Sequence, residues 1–224
     1  MRYNLAMERA LFFVHYNQQN LLSDYILYTL REMKPLFATV VFISNSPLPQ
    51  DKIKQVKKYA DTILYRPNKC FDFGAWRDGL LKFGWDNLAL YDSITLMNDT
   101  CFGPLFPMEE VYRKMENSTA DFWGITSNGP AKRGMPGTNG PIPEHIQSYF
   151  MVFNKRVIES EIFKNFWINV QDYDDVNKVI QKYETQLTMI LTYNNYKYLC
   201  YIDTKNFYAP NIDMSSLVLN GDLL

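Results

Sequence analysis

The chain has 224 residues, of which 47% are hydrophobic and 16% aromatic, and this content is enough to fill the core of one sizeable domain. Lysine and arginine number 23 against 24 for aspartate and glutamate, so the chain lacks the positive field that attracts nucleic acid. Its three cysteines, Cys70, Cys101 and Cys200, show no C-x-x-C spacing, which argues against a zinc site and favours a reducing, cytoplasmic location. No segment approaches the roughly 18 apolar residues of a transmembrane helix, and Met1–Arg9 lacks the apolar stretch of a signal peptide.

The N-terminal part of the chain alternates short apolar runs with helical patterns. Strands are predicted over Ala10–His15, Thr39–Ile43 and Thr62–Tyr65, which are rich in strand-forming residues. Between them, Leu21–Met33 repeats apolar residues at helical spacing, and Gln50–Tyr59 is a more charged helix. This alternation predicts an α/β domain with a mainly parallel central sheet, right-handed crossovers and flanking helices.

The rest of the chain continues the α/β pattern around one long loop. Ser127–Pro143 is rich in glycine and proline, and we interpret it as a surface loop that orders over a bound ligand as a lid. No linker divides the chain, so residues 1–224 are predicted to be one domain with a C-terminal tail at 204–224. The predicted helices are Gly74–Phe83, Met108–Met115 and Val176–Leu191, and the predicted strands are Ser93–Met97, Asp121–Thr126, Ser148–Phe153 and Tyr198–Ile202.

Polar residues follow three of the predicted strands. Ligands of open α/β sheets bind beyond the carboxyl ends of the strands, so we expect His15, Asn17, Ser44 and Asn98 to contact the ligand. Asp99 also follows a buried strand, where a carboxylate can hold Mg²⁺ or Mn²⁺ against a diphosphate. The alternative is that Asn98 and Asp99 only form an Asx-type turn.

A second polar group lies at the start of the predicted third helix, in Phe71–Leu80 (FDFGAWRDGL). Asp72, Gly74, Arg77 and Asp78 lie here, where free backbone N–H groups and the forked guanidinium of Arg77 suit a phosphate. In the alternative interpretation Asp72 caps the helix, and Arg77 pairs with a neighbouring aspartate on the surface.

Glu184 is the candidate general base. It lies at helical spacing with Ile180 and Leu187, beside the apolar face of the last predicted helix, where a partly buried carboxylate can accept a proton. The alternative is an exposed glutamate paired with Lys178 or Lys182, which is the more common situation for this residue type.

Five stretches together resemble the rhamnan synthesis protein F family, and the likeness runs from about Ala10 to Ile202. Members of this family contribute to rhamnose-containing cell-wall and O-antigen polysaccharides. The resemblance implies a glycosyltransferase A fold, with a donor-binding part at about 10–126 and an acceptor-side part at about 127–203. The five stretches are CFDFGAWRDGL at 70–80, LMNDTCFGPL at 96–105, DFWGITSN at 121–128, HIQSYFMVFNKRVI at 145–158 and KYETQLT at 182–188.

The metal site implied by this fold is incomplete in the sequence. Proteins of that fold use a strand-end Asp-x-Asp motif to hold a metal and the sugar diphosphate, and the matching stretch Asn98-Asp99-Thr100 supplies one carboxylate. Either Asp99 holds a divalent metal with waters and phosphate oxygens, or Arg77 takes over part of the charge neutralisation.

The resemblance implies a glycosyltransferase that moves a deoxysugar, L-rhamnose, from a nucleoside diphosphate such as dTDP to a growing polysaccharide. The residues themselves argue only for a diphosphate site. Two alternatives therefore remain: a non-catalytic module that binds nucleotide sugar or glycan in an assembly complex, and a hydrolase or phosphotransferase that uses Asp99 with a metal.

A lipid-linked glycan is the acceptor that the resemblance implies. We therefore expect the protein to act at the inner face of the membrane by peripheral association. The aromatic cluster of Phe163, Phe166 and Trp167 either provides an exposed patch for this contact or belongs to the core.

Overall fold

The structure, a computed structural model, describes residues 7–130 and 141–203. The predicted tail and the central part of the predicted lid, 131–140, lie outside the described residues. The strands are β1 Arg9–His15, β2 Thr39–Ser44, β3 Thr62–Tyr65, β4 Ser93–Asn98, β5 Phe122–Gly124, β6 Ser127–Asn128, β7 His145–Ile146, β8 Phe150–Asn154 and β9 Tyr198–Cys200. The helices are α1 Asp24–Met33, α2 Gln50–Val56, α3 Phe71–Phe83, α4 Trp85–Leu88, α5 Met108–Glu116, α6 Lys155–Ile158, α7 Glu161–Ile168, α8 Val176–Val179 and α9 Thr185–Tyr193.

The central sheet has seven strands in the order β3-β2-β1-β4-β8-β5-β9. The pairs among β3, β2, β1 and β4 are parallel, and β5 is parallel to β9. Strand β8 is antiparallel to both of its neighbours, β4 and β5. The short antiparallel pair β6–β7 reverses the chain between β5 and β8, which explains this orientation. The predicted class, an α/β domain with a mainly parallel sheet, is confirmed.

Strand β1 lies in the middle of the sheet and is buried on both faces. Phe12 and Val14 pack into one hydrophobic cluster, and Leu11 and Phe13 pack into a second cluster on the opposite face. Covered parallel strands of this kind consist of continuous apolar runs, as Ala10–Val14 does.

The aromatic cluster of α7 belongs to the core. Phe163 and Trp167 are fully buried, and Trp167 stacks on Phe73 of α3 with ring centroids 5.7 Å apart. The interpretation of this cluster as an exposed membrane patch is therefore wrong, because two of its three rings are buried in the core: Trp167 packs against α3, and Phe163 packs against Trp85 and Phe153. None of the helices in the described part of the chain combines the length and apolar character needed to cross a membrane.

The predicted helix Val176–Leu191 is interrupted. Helix α8 ends at Val179, a π-helical turn spans Ile180–Glu184, and α9 follows from Thr185. A π-helical turn accommodates an extra residue inside a helix, so it changes the direction in which the following side chains point. Such turns occur frequently at functional sites.

Candidate functional site

The carboxyl ends of β1, β2 and β4 meet at one edge of the sheet. His15 lies opposite Ser44 in the β1–β2 register, and Val14 lies opposite Asn98 in the β1–β4 register. The structure therefore brings together the three strand ends selected from the sequence. It also adds Asp72 from the first turn of α3, because Asn98 donates a hydrogen bond from Nδ2 to Asp72 Oδ2 over 2.8 Å.

His15 supports this edge from inside the protein. Its Nδ1 lies 3.1 Å from Ser44 Oγ and its Nε2 lies 3.1 Å from the Leu21 carbonyl oxygen. Burial lowers the pKa of His15 to about 4, so the ring is neutral at physiological pH. The side chain is fully buried, and its bond to Leu21 fixes the loop after β1. Any effect of His15 on the ligand would therefore be indirect, through the position of that loop.

Asn17 organises the same loop. Its Oδ1 accepts hydrogen bonds from the backbone N–H groups of Gln19 at 2.9 Å and Leu21 at 3.1 Å. Its own backbone N–H donates to Ser46 Oγ over 2.8 Å, and Ser44 Oγ donates to the Ser46 carbonyl over 2.6 Å. The loops after β1 and β2 are thus joined into one rim of the site.

Asp99 lies on the same rim. Its Oδ2 accepts a hydrogen bond from the backbone N–H of Tyr16 over 3.1 Å. Asn98 Oδ1 accepts one from the backbone N–H of Thr100 over 3.1 Å, so the Asx turn proposed as an alternative is present. The turn does not exclude a binding role, because Asn98 uses its other side-chain group to hold Asp72.

The two aspartates are held where ionisation is unfavourable. The pKa of Asp72 is raised from 3.8 to about 6, chiefly by burial, with the Asn98 hydrogen bond and Arg66 lowering it and the charge of Glu184 raising it. Burial also raises the pKa of Asp99 from 3.8 to about 6, and the charge of Asp72 acts in the same direction. The charge of Glu184, in the π-helical turn, thus acts on Asp72 of α3, and the charge of Asp72 acts on Asp99, which follows β4.

Glu184 is fixed by the segment before β8. Its Oε1 accepts hydrogen bonds from both the backbone N–H and the hydroxyl of Ser148, over 3.1 and 2.9 Å. Lys178 and Lys182, the partners considered for Glu184 from the sequence, instead lie over the ring of Tyr173, at 6.0 and 5.5 Å from its centroid. Glu184 is therefore held by Ser148, and it makes no ion pair with either lysine among the described residues.

Arg77 and Asp78 form a structural ion pair, as the alternative from the sequence anticipated. Arg77 donates from Nε to Asp78 over 2.8 Å and from Nη1 to the Val170 carbonyl over 2.8 Å, and Asp172 lies 3.0 Å from Nη1. The guanidinium is thus engaged between α3 and the segment after α7. The cation that lowers the pKa of Asp72 is Arg66. A diphosphate contact by Arg77 or Asp78 stays a prediction.

Gly74 is required by the close approach of the chain before α3. A Cβ atom at this position would clash with the Lys69 carbonyl oxygen and would lie 2.8 Å from Arg66 Nη2. Glycine therefore allows the turn that leads to Asp72 to pack against α3. This packing role is compatible with its predicted place beside the ligand.

Arg66, the residue immediately after β3, is not among the site residues predicted from the sequence. Its side chain is 7% exposed and lies 2.6 Å from Asp78. The rule that selected residues after β1, β2 and β4 also applies to the end of β3, so position alone could have identified it. Its partners are dispersed along the sequence, and no local pattern predicts them.

The donor set suits a hard divalent cation that is shared with a ligand. In the described ranges, no three or more His, Cys, Asp or Glu side chains are arranged to hold a metal ion. Asp99 and Asp72 offer two carboxylates, and oxygen ligands of this kind are the ones that Mg²⁺ and Mn²⁺ prefer. Phosphate oxygens and water would complete the coordination.

The chain has an α/β fold with a mainly parallel seven-stranded sheet and flanking helices, and solved structures of low sequence identity share this fold. A crystal structure of 4-diphosphocytidyl-2C-methyl-D-erythritol synthase shares the fold, with a TM-score of 0.52, 10% identity, and coverage of 96% of this chain and 98% of that chain. A putative nucleotide-diphospho-sugar transferase from Desulfovibrio desulfuricans aligns with a TM-score of 0.47, 16% identity, and coverage of 96% and 95%.

The chain belongs to the rhamnan synthesis protein F family, whose model matches residues 40–224. An uncharacterized protein of Sinorhizobium fredii, y4gN, is 27% identical over 185 residues, which are 83% of this chain and 42% of the relative. The chain thus spans less than half the length of this curated relative. The matched residues include Asp72, Asp99 and Glu184, whereas His15 and Asn17 precede them.

Proposed function

We propose that this domain is a glycosyltransferase that moves a deoxysugar, L-rhamnose, from a nucleoside-diphosphate donor such as dTDP-rhamnose to a growing cell-surface polysaccharide. The observation that carries the proposal is the placement of Asp72 and Asp99 at the carboxyl edge of the sheet, where Asn98 and Tyr16 hold them, with Glu184 near enough for its charge to act on Asp72. Membership of the rhamnan synthesis protein F family supports both the polysaccharide and the sugar.

The donor would bind along the rim formed by the loops after β1, β2 and β4, within the part at about 10–126. Asn17 and Ser44 shape the nucleotide side of this rim, and Asp99 and Asp72 face the diphosphate. A bound Mg²⁺ or Mn²⁺ would neutralise the diphosphate and stabilise the charge that develops on it as it leaves. Asp99, with Asp72 beside it, would hold this ion, and Asn98 keeps the Asp72 carboxylate in place.

Glu184 would act as the general base, in the acceptor-side part at about 127–203. In an inverting transfer, the acceptor oxygen bonds to the anomeric carbon while the bond to the diphosphate oxygen breaks, and Glu184 takes the hydroxyl proton. Ser148 occupies Glu184 Oε1, whereas Oε2 accepts no hydrogen bond from the described residues. A fixed carboxylate with one oxygen left for the proton fits this role.

The acceptor in this proposal is a lipid-linked glycan at the inner face of the membrane, which the protein reaches by peripheral association. Cell fractionation tests the location. The protein should be soluble or released from membranes by mild salt, and recovery only in detergent would contradict peripheral association.

The enzymatic proposal is tested by incubating the protein with labelled nucleotide sugars, with and without Mn²⁺. Transfer to a glycan acceptor, or slow hydrolysis of the donor, supports a glycosyltransferase. Saturable binding without turnover would instead indicate the non-catalytic module. Release of phosphate from simple phosphate esters would indicate a hydrolase that uses Asp99.

A further inference from the structure

The turn that leads into α3 has an unusual backbone. Cys70 and Phe71 are consecutive non-glycine residues with φ values of 56° and 49°, in the left-handed region that side chains disfavour. Asp72 follows directly. A turn of this kind persists only when surrounding contacts hold it, so the position of the Asp72 carboxylate depends on those contacts.

Arg66 joins this turn to two other parts of the site. Its Nη2 donates to the Lys69 carbonyl over 2.7 Å, and its Nη1 donates to Asn45 Oδ1 over 3.0 Å. Its Nε donates to Asp78 Oδ2 over 2.6 Å. One buried guanidinium therefore connects the end of β3, the loop after β2, the turn and α3.

Two further hydrogen bonds hold the same turn. Asn45, itself held by Arg66, donates from Nδ2 to the Phe71 carbonyl over 3.2 Å. The backbone N–H of Cys70 donates to the Tyr173 carbonyl over 3.0 Å. The two left-handed residues are thus fixed from both sides, and Arg66 acts on the turn directly and through Asn45.

We propose that Arg66 is a positioning residue that holds the turn at 69–72 and thereby directs the Asp72 carboxylate toward the bound ligand. The inference rests on the proposed function, because it treats the edge that contains Asp72 as the donor site. The forked geometry is essential, since three donors on one plane reach three acceptors from different elements. A lysine ammonium keeps the charge but cannot reproduce this arrangement.

Arg9 provides a matched control. It is another largely buried arginine, with 16% side-chain exposure, and it makes two hydrogen bonds of 2.6 Å to Glu116. It lies at the first residue of β1, so it is at the opposite edge of the sheet from Asp72. Arg9→Gln should destabilise the fold without affecting the turn before α3.

The experiment compares Arg66→Gln, Arg66→Lys and Arg9→Gln with the wild-type protein by two measurements. Hydrogen exchange reports the stability of residues 69–74. Calorimetric titration of UDP, GDP, CDP and dTDP in the presence of Mn²⁺ measures the affinity of the site for each nucleotide. We expect exchange at 69–74 to accelerate roughly tenfold or more in both Arg66 variants, and affinity for the nucleotide that binds wild type to fall about 10- to 100-fold.

Arg9→Gln should leave exchange at 69–74 and nucleotide affinity within about twofold of wild type, because distant sites behave independently. If Arg66→Gln does not fold, Asn45→Ala removes part of the same network and should weaken nucleotide binding in the same direction.

Unchanged exchange at 69–74, unchanged affinity in the folded variants, or full affinity in Arg66→Lys would each overturn the proposal. A wild-type protein that bound none of the four nucleotides would count against the proposed function. Hydrogen exchange would still decide whether Arg66 holds the turn.

Discussion

Asp72 and Asp99 are placed where an ionised carboxylate is costly, and this cost has consequences for stability. Both have a pKa near 6, chiefly because of burial, and each is near a further carboxylate. Groups that bind a cation or an activated substrate often carry such a cost, because the ligand relieves it.

Asp72→Asn should change the pH dependence of stability. The folded-state pKa of Asp72 is raised from 3.8 to about 6, so between these values the folded protein binds more protons than the unfolded chain. Stability contributed by this group is therefore lost as pH rises through that window. The variant should match wild type near pH 4 and exceed it by about 1 to 3 kcal/mol near pH 7.5. Urea unfolding at several pH values measures this, and a constant difference between the two proteins would contradict it.

Asp99→Ala should remove transfer while leaving the fold intact, since a half-buried carboxylate at a strand end contributes little packing. Loss of a group that stabilises transition-state charge costs about 100- to 1,000-fold in rate. The control is Asp51→Ala, an exposed carboxylate in the first turn of α2. Steady-state rates with circular dichroism on each variant provide the test, and wild-type rates for Asp99→Ala would remove its assignment.

Ser148→Ala should slow transfer only because it loosens the hold on the Glu184 carboxylate. The substitution removes the hydroxyl donor to Glu184 Oε1 and keeps the backbone N–H donor, so we expect roughly a tenfold loss in kcat with little change in KM. Glu184→Gln should lose about 100- to 10,000-fold. The double variant should be no slower than Glu184→Gln, because the two residues act as one unit. Additive losses would mean that Ser148 acts elsewhere.

Among the structural elements, α3 and α7 form the aromatic centre of one side of the sheet. Phe73 of α3 packs against Trp76, Phe166, Trp167 and Tyr183, with centroid distances between 5.4 and 6.5 Å. The same helix begins with the turn that presents Asp72. Packing of α7 on α3 therefore fixes the position of α3, and with it the position of Asp72.

Trp167→Ala should lower the free energy of unfolding by about 3 to 5 kcal/mol, because it leaves a large cavity beside Phe73. Its neighbour Ile168 is 52% exposed, and Ile168→Ala should change stability by less than about 0.5 kcal/mol. Urea denaturation gives both values. A Trp167→Ala protein of normal stability but altered membrane association would restore the surface interpretation of this cluster.

For the whole molecule, the candidate site joins the two parts of the chain. Asp72 and Asp99 come from the N-terminal half, and Glu184 comes from the π-helical turn near the other end. Because neither part carries all three carboxylates, a ligand that binds at this edge should stabilise the domain as one unit.

A bound nucleoside diphosphate with Mn²⁺ should therefore raise the unfolding midpoint of the whole domain in one cooperative step. At a ligand concentration about 100 times the dissociation constant, the stabilisation is roughly 2.7 kcal/mol. Differential scanning calorimetry measures it, and Asp99→Ala should abolish the shift. A ligand-dependent shift that persisted in Asp99→Ala would locate binding elsewhere.

The amino-acid sequence by itself determined the fold class and most elements, because hydrophobic periodicity and apolar runs are local properties. Asn98 and Asp99 were selected because they follow a predicted strand, and Glu184 was selected by its helical spacing with apolar residues. Family membership followed from motifs that can be recognised without a structure.

Only the tertiary structure decided how these residues combine. The antiparallel direction of β8 depends on the β6–β7 reversal, and the π-helical turn breaks a periodicity that reads as one helix. The hydrogen bond between Asn98 and Asp72 joins residues 26 apart in the sequence, and the one between Ser148 and Glu184 joins residues 36 apart. Arg66 remained unrecognised because its role lies in contacts with Asn45, Lys69 and Asp78, which folding brings together. Long-range packing, which no local pattern encodes, sets these distances and the burial that raises the pKa of both aspartates.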